Sequence, residues 1–301
     1  MNDPRVLFLP CYLDGLSVLS PSVRWRAQWP AKYWGEADVC NGHQRLLDYD
    51  ALIFQKFYLV GQAWTWARSL RAKGKLLAFD LCDPDFLEEE HRTRMLKILP
   101  LFDLAVATTE PIREWLIRWL PTYMIPDRID LEAHPEKKRW DEEPEQVSLV
   151  WYGFAHNAIA IKSLWPIIED LDLPLTIISD EPQPETWLHE FLEQHDKFSW
   201  RQWGPDSVHR QIVEHDIALN PQPAEVDEKF RYKSHNKDLT AWALGMPVAK
   251  TLEELVRLLD FDERKAEAER RLIEVREKWD VRTSVEEWRG LLDENLADRR
   301  G

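Results

Sequence analysis

Cysteine is scarce: Cys11, Cys40 and Cys82 are the only three in 301 residues. An odd count without metal-type spacing excludes a disulfide framework and fits a reducing cytoplasm, which is the expected location. Long apolar runs are missing as well. No stretch approaches the 18 or so uncharged residues that a membrane-spanning helix needs, although attachment to a membrane surface stays open. A secretory leader is not expected, because Val6–Leu9 is too short for its apolar core and Pro10 interrupts it. Basic residues are in deficit, with 39 Lys and Arg against 54 Asp and Glu and a net charge of −15. A chain of that charge repels polyanions at long range, so gripping nucleic acid is excluded as its main task. Short repeats, low-complexity tracts and histidines at ligand spacing are also lacking, and no metal site is expected.

What is present suits a soluble α/β protein. The chain is 44% hydrophobic and 31% charged, enough to bury a sizeable core, and its length suits two domains or one large one. Most of the sixteen tryptophans read as packing residues, with a minority beside a sugar or base. Short apolar runs alternate with helical patterns. Strands are expected at Val6–Leu9, Ala51–Gln55, Lys75–Phe79, Leu104–Thr108 and Thr122–Ile125. Between them, helices are expected over 58–73, 86–99 and 110–120. Residues 132–146 are charged and hold Pro135 and Pro144, the composition of a linker. The alternation then resumes, with strands at Val147–Tyr152, Leu175–Ser179, Phe198–Trp200, Ile217–Asn220 and Pro247–Ala249. Helices there are expected over 158–171, 185–195, 206–214 and 236–244, and Thr283-Ser-Val-Glu286 reads as a capping box opening a last amphipathic helix. The pattern predicts parallel sheets covered on both faces. It divides the chain into a Rossmann-like domain over 1–131, a linker over 132–146, a second domain over 147–280 and a final helix over 281–301.

The segment from Phe230 to Val248 carries the chemistry. Lys233 and Lys237 lie near the start of a predicted helix that Gly245 and Pro247 end. Two cations at a helix N-terminus are unfavourable by a few tenths of a kcal/mol each. An anion in front of the helix reverses that sign. A phosphate pocket and a solvated lysine pair both remain open on this segment alone.

Together these segments resemble the GT-B fold, and most closely the bacterial nucleotide-sugar-dependent glycosyltransferases. Leu149-Val-Trp-Tyr-Gly153 is similar to the first strand and glycine loop of their donor domain. Trp203-Gly204 and Asp216–Pro221 resemble their base-binding loop and following strand, and Lys237, Ala243, Gly245 and Pro247 match a K-x7-G-x-P pattern. Phe102–Glu110 and Ile125–Asp130 resemble first-domain segments. The chain departs from the pattern at Tyr232 and Thr240, where many retaining members carry glutamates, and at Phe79, where many relatives place a histidine ahead of Asp80.

The resemblance implies two Rossmann-like domains facing a central cleft, with a C-terminal helix crossing back to the first. It implies a metal-independent transfer of sugar from a nucleotide-sugar donor to a glycan, lipid-linked or small-molecule acceptor, with no further cofactor. A catalytically silent subunit and a nucleotide-sugar epimerase are the rival readings. Lys237, Lys233, Ser234, Asn236, Gly153 and Trp203 are the expected donor residues. Asp80, Asp83 and Asp14 are candidate general bases on the acceptor side, and Arg24 and Arg26, in the loop after the first strand, would hold an anionic acceptor or the diphosphate. Stereochemistry and oligomeric state are left open by the sequence.

Overall fold

The computed structural model describes residues 4–11, 20–184, 187–195 and 197–299. It divides into two compact units: one of Met1–Asp130, Tyr232–Ser234 and Asp280–Gly301, the other of Leu131–Arg231 and His235–Trp279.

The first unit is built on six parallel strands: β1 (Val6–Leu9), β2 (Ala37–Val39), β3 (Ala51–Gln55), β4 (Leu76–Leu81), β5 (Leu104–Ala107) and β6 (Thr122–Met124). Their order is β2-β1-β3-β4-β5-β6. β1, β3, β4 and β5 are buried along their whole length, as apolar runs with helices on both faces require. One face packs through Leu52, Phe54, Leu77, Phe79 and Phe102, the other through Phe8, Ile53, Ala78 and Val106. The order changes direction at β1, which lies between β2 and β3.

The stretch from Pro21 to Trp34 is helical throughout, including residues 22–26, expected in a loop. Pro30 explains its form. It has no N–H for the Arg26 carbonyl, and its ring would crowd that carbonyl in an α-turn. Arg24–Gln28 widens instead into a π-turn, with the Trp29 N–H donating to the Arg24 carbonyl. The helix Val281–Asp298 lays Val285, Trp288, Leu291 and Leu292 on the second face beside Trp34 and Phe8. Asp280, not the Thr283 box, caps it: the Asp280 carboxylate accepts from the Arg282 N–H. Arg128 donates two bonds, of 2.6 and 2.7 Å, to Glu287 on the same helix.

The second unit has five parallel strands: β7 (Leu149–Tyr152), β8 (Leu175–Ser179), β9 (Phe198–Gln202), β10 (Ile217–Leu219) and β11 (Val248–Ala249), in the order β11-β10-β7-β8-β9. Its core includes Leu149, Trp151, Ile177, Leu219 and Leu255. The single helix expected over 158–171 is two pieces, Ala155–Ser163 and Trp165–Asp170, because Pro166 suits only a helix's first turn. The helix expected over 185–195 runs Trp187–Gln194 among the described residues, and 185–186 lie outside them. Residues of 132–146 pack on this unit: the Lys138 N–H donates to the Leu244 carbonyl, Trp140 Nε1 to the Gly245 carbonyl, and Lys138 Nζ pairs with Asp216 at 3.0 Å.

Candidate functional site

In an open parallel sheet, ligands bind beyond the carboxyl ends of the strands, at the point where strand order reverses. In the second sheet that point lies between β7 and β10. Four segments end or begin there: the Tyr152–Gly153 turn after β7, Asn220 after β10, Lys250 after β11, and the first turn of the helix Asn236–Ala243.

Gly153 has φ +151°, a conformation side chains rarely adopt. A Cβ built on it would lie 2.6 Å from Lys237 Nζ and 2.8 Å from Lys237 Cε. The lysine therefore lies against bare backbone. Its ammonium sits 4.2 Å from the centroid of the buried Trp151 ring, a cation–π contact. The Tyr152 hydroxyl donates to the Lys237 carbonyl and fixes the start of the helix to β7.

Below Lys237, Asp238 is fully buried and binds three groups. Asn220 Nδ2 donates to it at 2.6 Å, Lys250 Nζ pairs with it at 2.5 Å, and His235 Nδ1 lies 3.0 Å away. Burial opposes its charge, but the His235, Lys250 and Asn220 contacts outweigh that and hold its carboxyl below the ordinary range. A carboxylate in the first turn also suits the helix dipole. One buried anion thus joins the ends of β10 and β11 to the helix that carries Lys237. Asn236 is half-buried in that turn. Trp203 follows β9, where its N–H donates to the Ser179 carbonyl at 2.7 Å; β8 separates β9 from β7.

Lys233 and Ser234, expected beside Lys237, have other partners. Both belong to the first unit. Lys233 Nζ is 3.2 Å from Asp83 Oδ1, and the Ser234 hydroxyl donates to Asp127 at 2.6 Å. They join a charged cluster at the carboxyl edge of the first sheet. Lys56 follows β3 in a left-handed conformation, φ +51°, which costs a non-glycine residue about 1–2 kcal/mol. Its ammonium bridges Asp83 at 3.0 Å and Asp85 at 2.8 Å, and the Tyr58 hydroxyl donates to Asp85. Burial works against the Asp83 anion, yet Lys56 and Lys233 prevail and hold its carboxyl at about 2.

Asp80 and Arg26 form a separate pair in the interior. Arg26 Nε and NH2 donate to the two Asp80 oxygens at 3.0 and 2.7 Å, and its NH1 reaches the Ile125 carbonyl at 2.9 Å and Asp127 at 3.4 Å. Arg26 is 3% exposed and Asp80 is 0% exposed, so each serves the other rather than an incoming molecule. Arg24 is half-buried on the same helix, and burial pulls its pKa down. Asp14 lies outside the described residues. No group of three or more His, Cys, Asp or Glu side chains is disposed to hold a metal among the described residues. No helix among them is long and apolar enough to cross a membrane.

The sequence reading missed the Trp151 ring under Lys237, the Tyr152 hydroxyl and the Asp238 hub. The signal for Asp238 was visible as an acid at the third helical position, where it reads as an ordinary first-turn charge.

No family model matches the chain, and no curated protein matches it in sequence. Solved structures do match. HepE of Anabaena in complex with UDP is 12% identical with a TM-score of 0.65, over 96% of this chain and 100% of that one. AviGT4, a glycosyltransferase involved in avilamycin A biosynthesis, is 12% identical with a TM-score of 0.58, over 98% of each chain. The DNA-modifying enzyme β-glucosyltransferase is 8% identical with a TM-score of 0.56, over 97% of this chain and 99% of that one. At such identities the likeness is one of fold: the chain has the GT-B fold of two Rossmann-like domains.

Proposed function

We propose that this chain is a glycosyltransferase that moves a sugar from a nucleotide-diphosphate donor to a hydroxyl-bearing acceptor. The observation that carries the reading is the constellation of Lys237, Gly153 and Trp151 at the reversal point of the second sheet. HepE, solved with UDP and with UDP-glucose, supports the choice of donor class by likeness of fold.

Breaking the bond between the sugar and the diphosphate leaves negative charge on the departing oxygens. A cation and backbone N–H groups aimed at that charge stabilise the transition state more than the ground state. Lys237 is the cation in this reading. The Gly153 turn lets backbone approach the diphosphate, Asn236 adds a hydrogen bond, and Trp203 offers a ring to the base. With a lysine supplying the charge, transfer needs no metal and persists in excess chelator.

On the acceptor side, Asp83 is the carboxylate of choice in the first unit, since it is 27% exposed whereas Asp80 is enclosed by Arg26. At a pKa of about 2 it is a feeble base. Its role is to accept a hydrogen bond from the acceptor hydroxyl and orient it, beside the Lys56 and Lys233 ammoniums. Glycan, lipid-linked and small-molecule acceptors all present such a hydroxyl.

Calorimetric titration with UDP-, GDP-, ADP- and dTDP-sugars tests the reading. At least one should bind, and glucose or another sugar should then pass to an acceptor. Folded protein that binds none of the four would overturn it. Incubation with donor alone should yield slow hydrolysis and no isomerised sugar.

A further inference from the structure

Away from the turns that gather around Lys237, the second unit holds a cavity of about 380 Å³ lined by Lys162, Trp165, Trp187, Glu190, Phe191 and His195. Pro166 breaks the helical stretch after β7 and sets Trp165 at the first position of the second piece. On the helix Trp187–Gln194, Trp187, Glu190 and Phe191 stand at i, i+3 and i+4 and so share one face. A face turned wholly to the core would bury all three. Only Phe191 is buried; Trp165, Trp187 and His195 are half-buried, and Lys162 and Glu190 are exposed. The rings brace one another. Trp187 lies tilted on Phe191 at 4.7 Å, and Trp165 meets Phe191 at 4.7 Å and 80° and His195 at 4.9 Å. The Lys162 ammonium is 5.2 Å from the centroid of the Trp187 ring. No ion pair ties Lys162 or Glu190 to another of the described residues.

The volume is at the small end of the range for ligand pockets, about 300–1,000 Å³, and rings with a few polar groups are their usual lining. A purely apolar ligand would strip water from Glu190 and Lys162 and return no hydrogen bond. An anion would meet the Glu190 carboxylate and a chain of net charge −15. A neutral sugar meets neither obstacle. Its C–H faces pack on the indoles, while its hydroxyls donate to the carboxylate and accept from the ammonium, and hydrogen bonds to charged groups are the stronger kind. Lys162 can leave the Trp187 face for a hydroxyl, because a cation–π contact at an exposed site is weak. We propose that this cavity is a saccharide-binding site, taking a neutral pyranose ring, distinct from the donor site. None of its residues belongs to the turns after β7, β10 or β11, so it stands apart from the donor-site reading.

The test is an NMR titration of the full chain without nucleotide, using methyl glucoside, methyl galactoside, methyl mannoside, maltotriose and cellotriose, and following the indole N–H resonances. Trp165→Phe and Trp187→Phe assign the two signals by their loss. At least one sugar should shift both saturably, with a Kd on the order of millimolar for so small a ligand, while the Trp151 signal stays in place. Glu190→Gln, at an exposed position where folding is undisturbed, should weaken that Kd roughly fivefold to tenfold. Trp187→Ala should abolish the shift of the Trp165 signal. The proposal is overturned if no sugar moves either signal, if uridine moves them and no sugar does, or if the sugars bind both variants as well as the wild type. UDP in the same spectra checks the donor reading separately, since it should move the Trp151 signal and leave Trp165 and Trp187 alone. Failure there leaves the saccharide site standing, and silence from the sugars leaves the donor reading standing.

Discussion

The Lys237 ammonium lies over the face of Trp151. A cation–π contact at a half-exposed position is worth about 0.5–1 kcal/mol, whereas a hydrogen bond from an ammonium to an anionic oxygen is worth about 1.5–3 kcal/mol. A diphosphate therefore wins Lys237 from the Trp151 ring. Lys237→Ala should weaken UDP binding by about 1.5–3 kcal/mol, read by calorimetry, with little change in melting temperature. An unaltered Kd removes the residue from the site. Gly153→Ala should impair both folding and nucleotide binding. The new methyl displaces the lysine head and forces an alanine to φ +151°, at a cost on the order of 1–3 kcal/mol in unfolding free energy. Asp83 gives folding stability a pH dependence on the acid side. Its carboxyl is depressed to about 2 in the folded chain. Its stabilising contribution is complete above the unfolded value near 4 and disappears as pH falls from about 4 to about 2. Asp83→Asn should remove that part of the acid sensitivity in urea titrations at low pH, and an unchanged pH profile would deny the pairing with Lys56 and Lys233.

Elements were legible where one rule decided them. β1, β3 and β8 stand where their apolar runs place them, since a strand buried on both faces admits little else. Gly245 ends its helix in the left-handed region at φ +72°, as its spacing to Pro247 implies. Misses came where tertiary partners decide. β2 is three residues pairing with β1 and is too short for periodicity to show. The helix around Arg26 was hidden because Pro30 falls within it, and a π-turn accommodates that proline. Asp280 overrides the Thr283 box at the last helix. Lys237 was legible as a cation at a helix start, but the opposite fates of Lys233 and Lys237 were not. They lie four residues apart, and only the fold shows that one faces Asp83 and the other Trp151. The last helix makes its own prediction. Trp288 is 1% exposed in the core of the first unit. Trp288→Ala should cost about 3–5 kcal/mol in denaturant unfolding while leaving UDP affinity of the remaining folded protein unchanged. A loss under about 1 kcal/mol would mean that the helix is not anchored there.

At the scale of the whole molecule, two cores are built separately: one on both faces of the six-stranded sheet, the other around β7, β8 and β10. Each unit has the apolar interior of an independent domain. Every donor residue argued for above belongs to the second unit, and every acceptor-side acid to the first. A ligand that binds only the folded second unit stabilises it by mass action, by about 2.7 kcal/mol at a hundredfold excess over Kd. That free energy must register in local opening, because exchange of a backbone N–H reports the stability of the unit that holds it. With UDP saturating, hydrogen exchange should slow across β7, the Gly153 turn and the first turn of the helix Asn236–Ala243. It should slow far less in β3, β4 and the Asp83 turn, where the nucleotide has no ligand. The contrast separates two accounts that enzyme assays alone would merge. If slowing is confined to the Lys56–Asp83 cluster, the nucleotide is held by the first unit, and Lys237 is a packing lysine over a tryptophan.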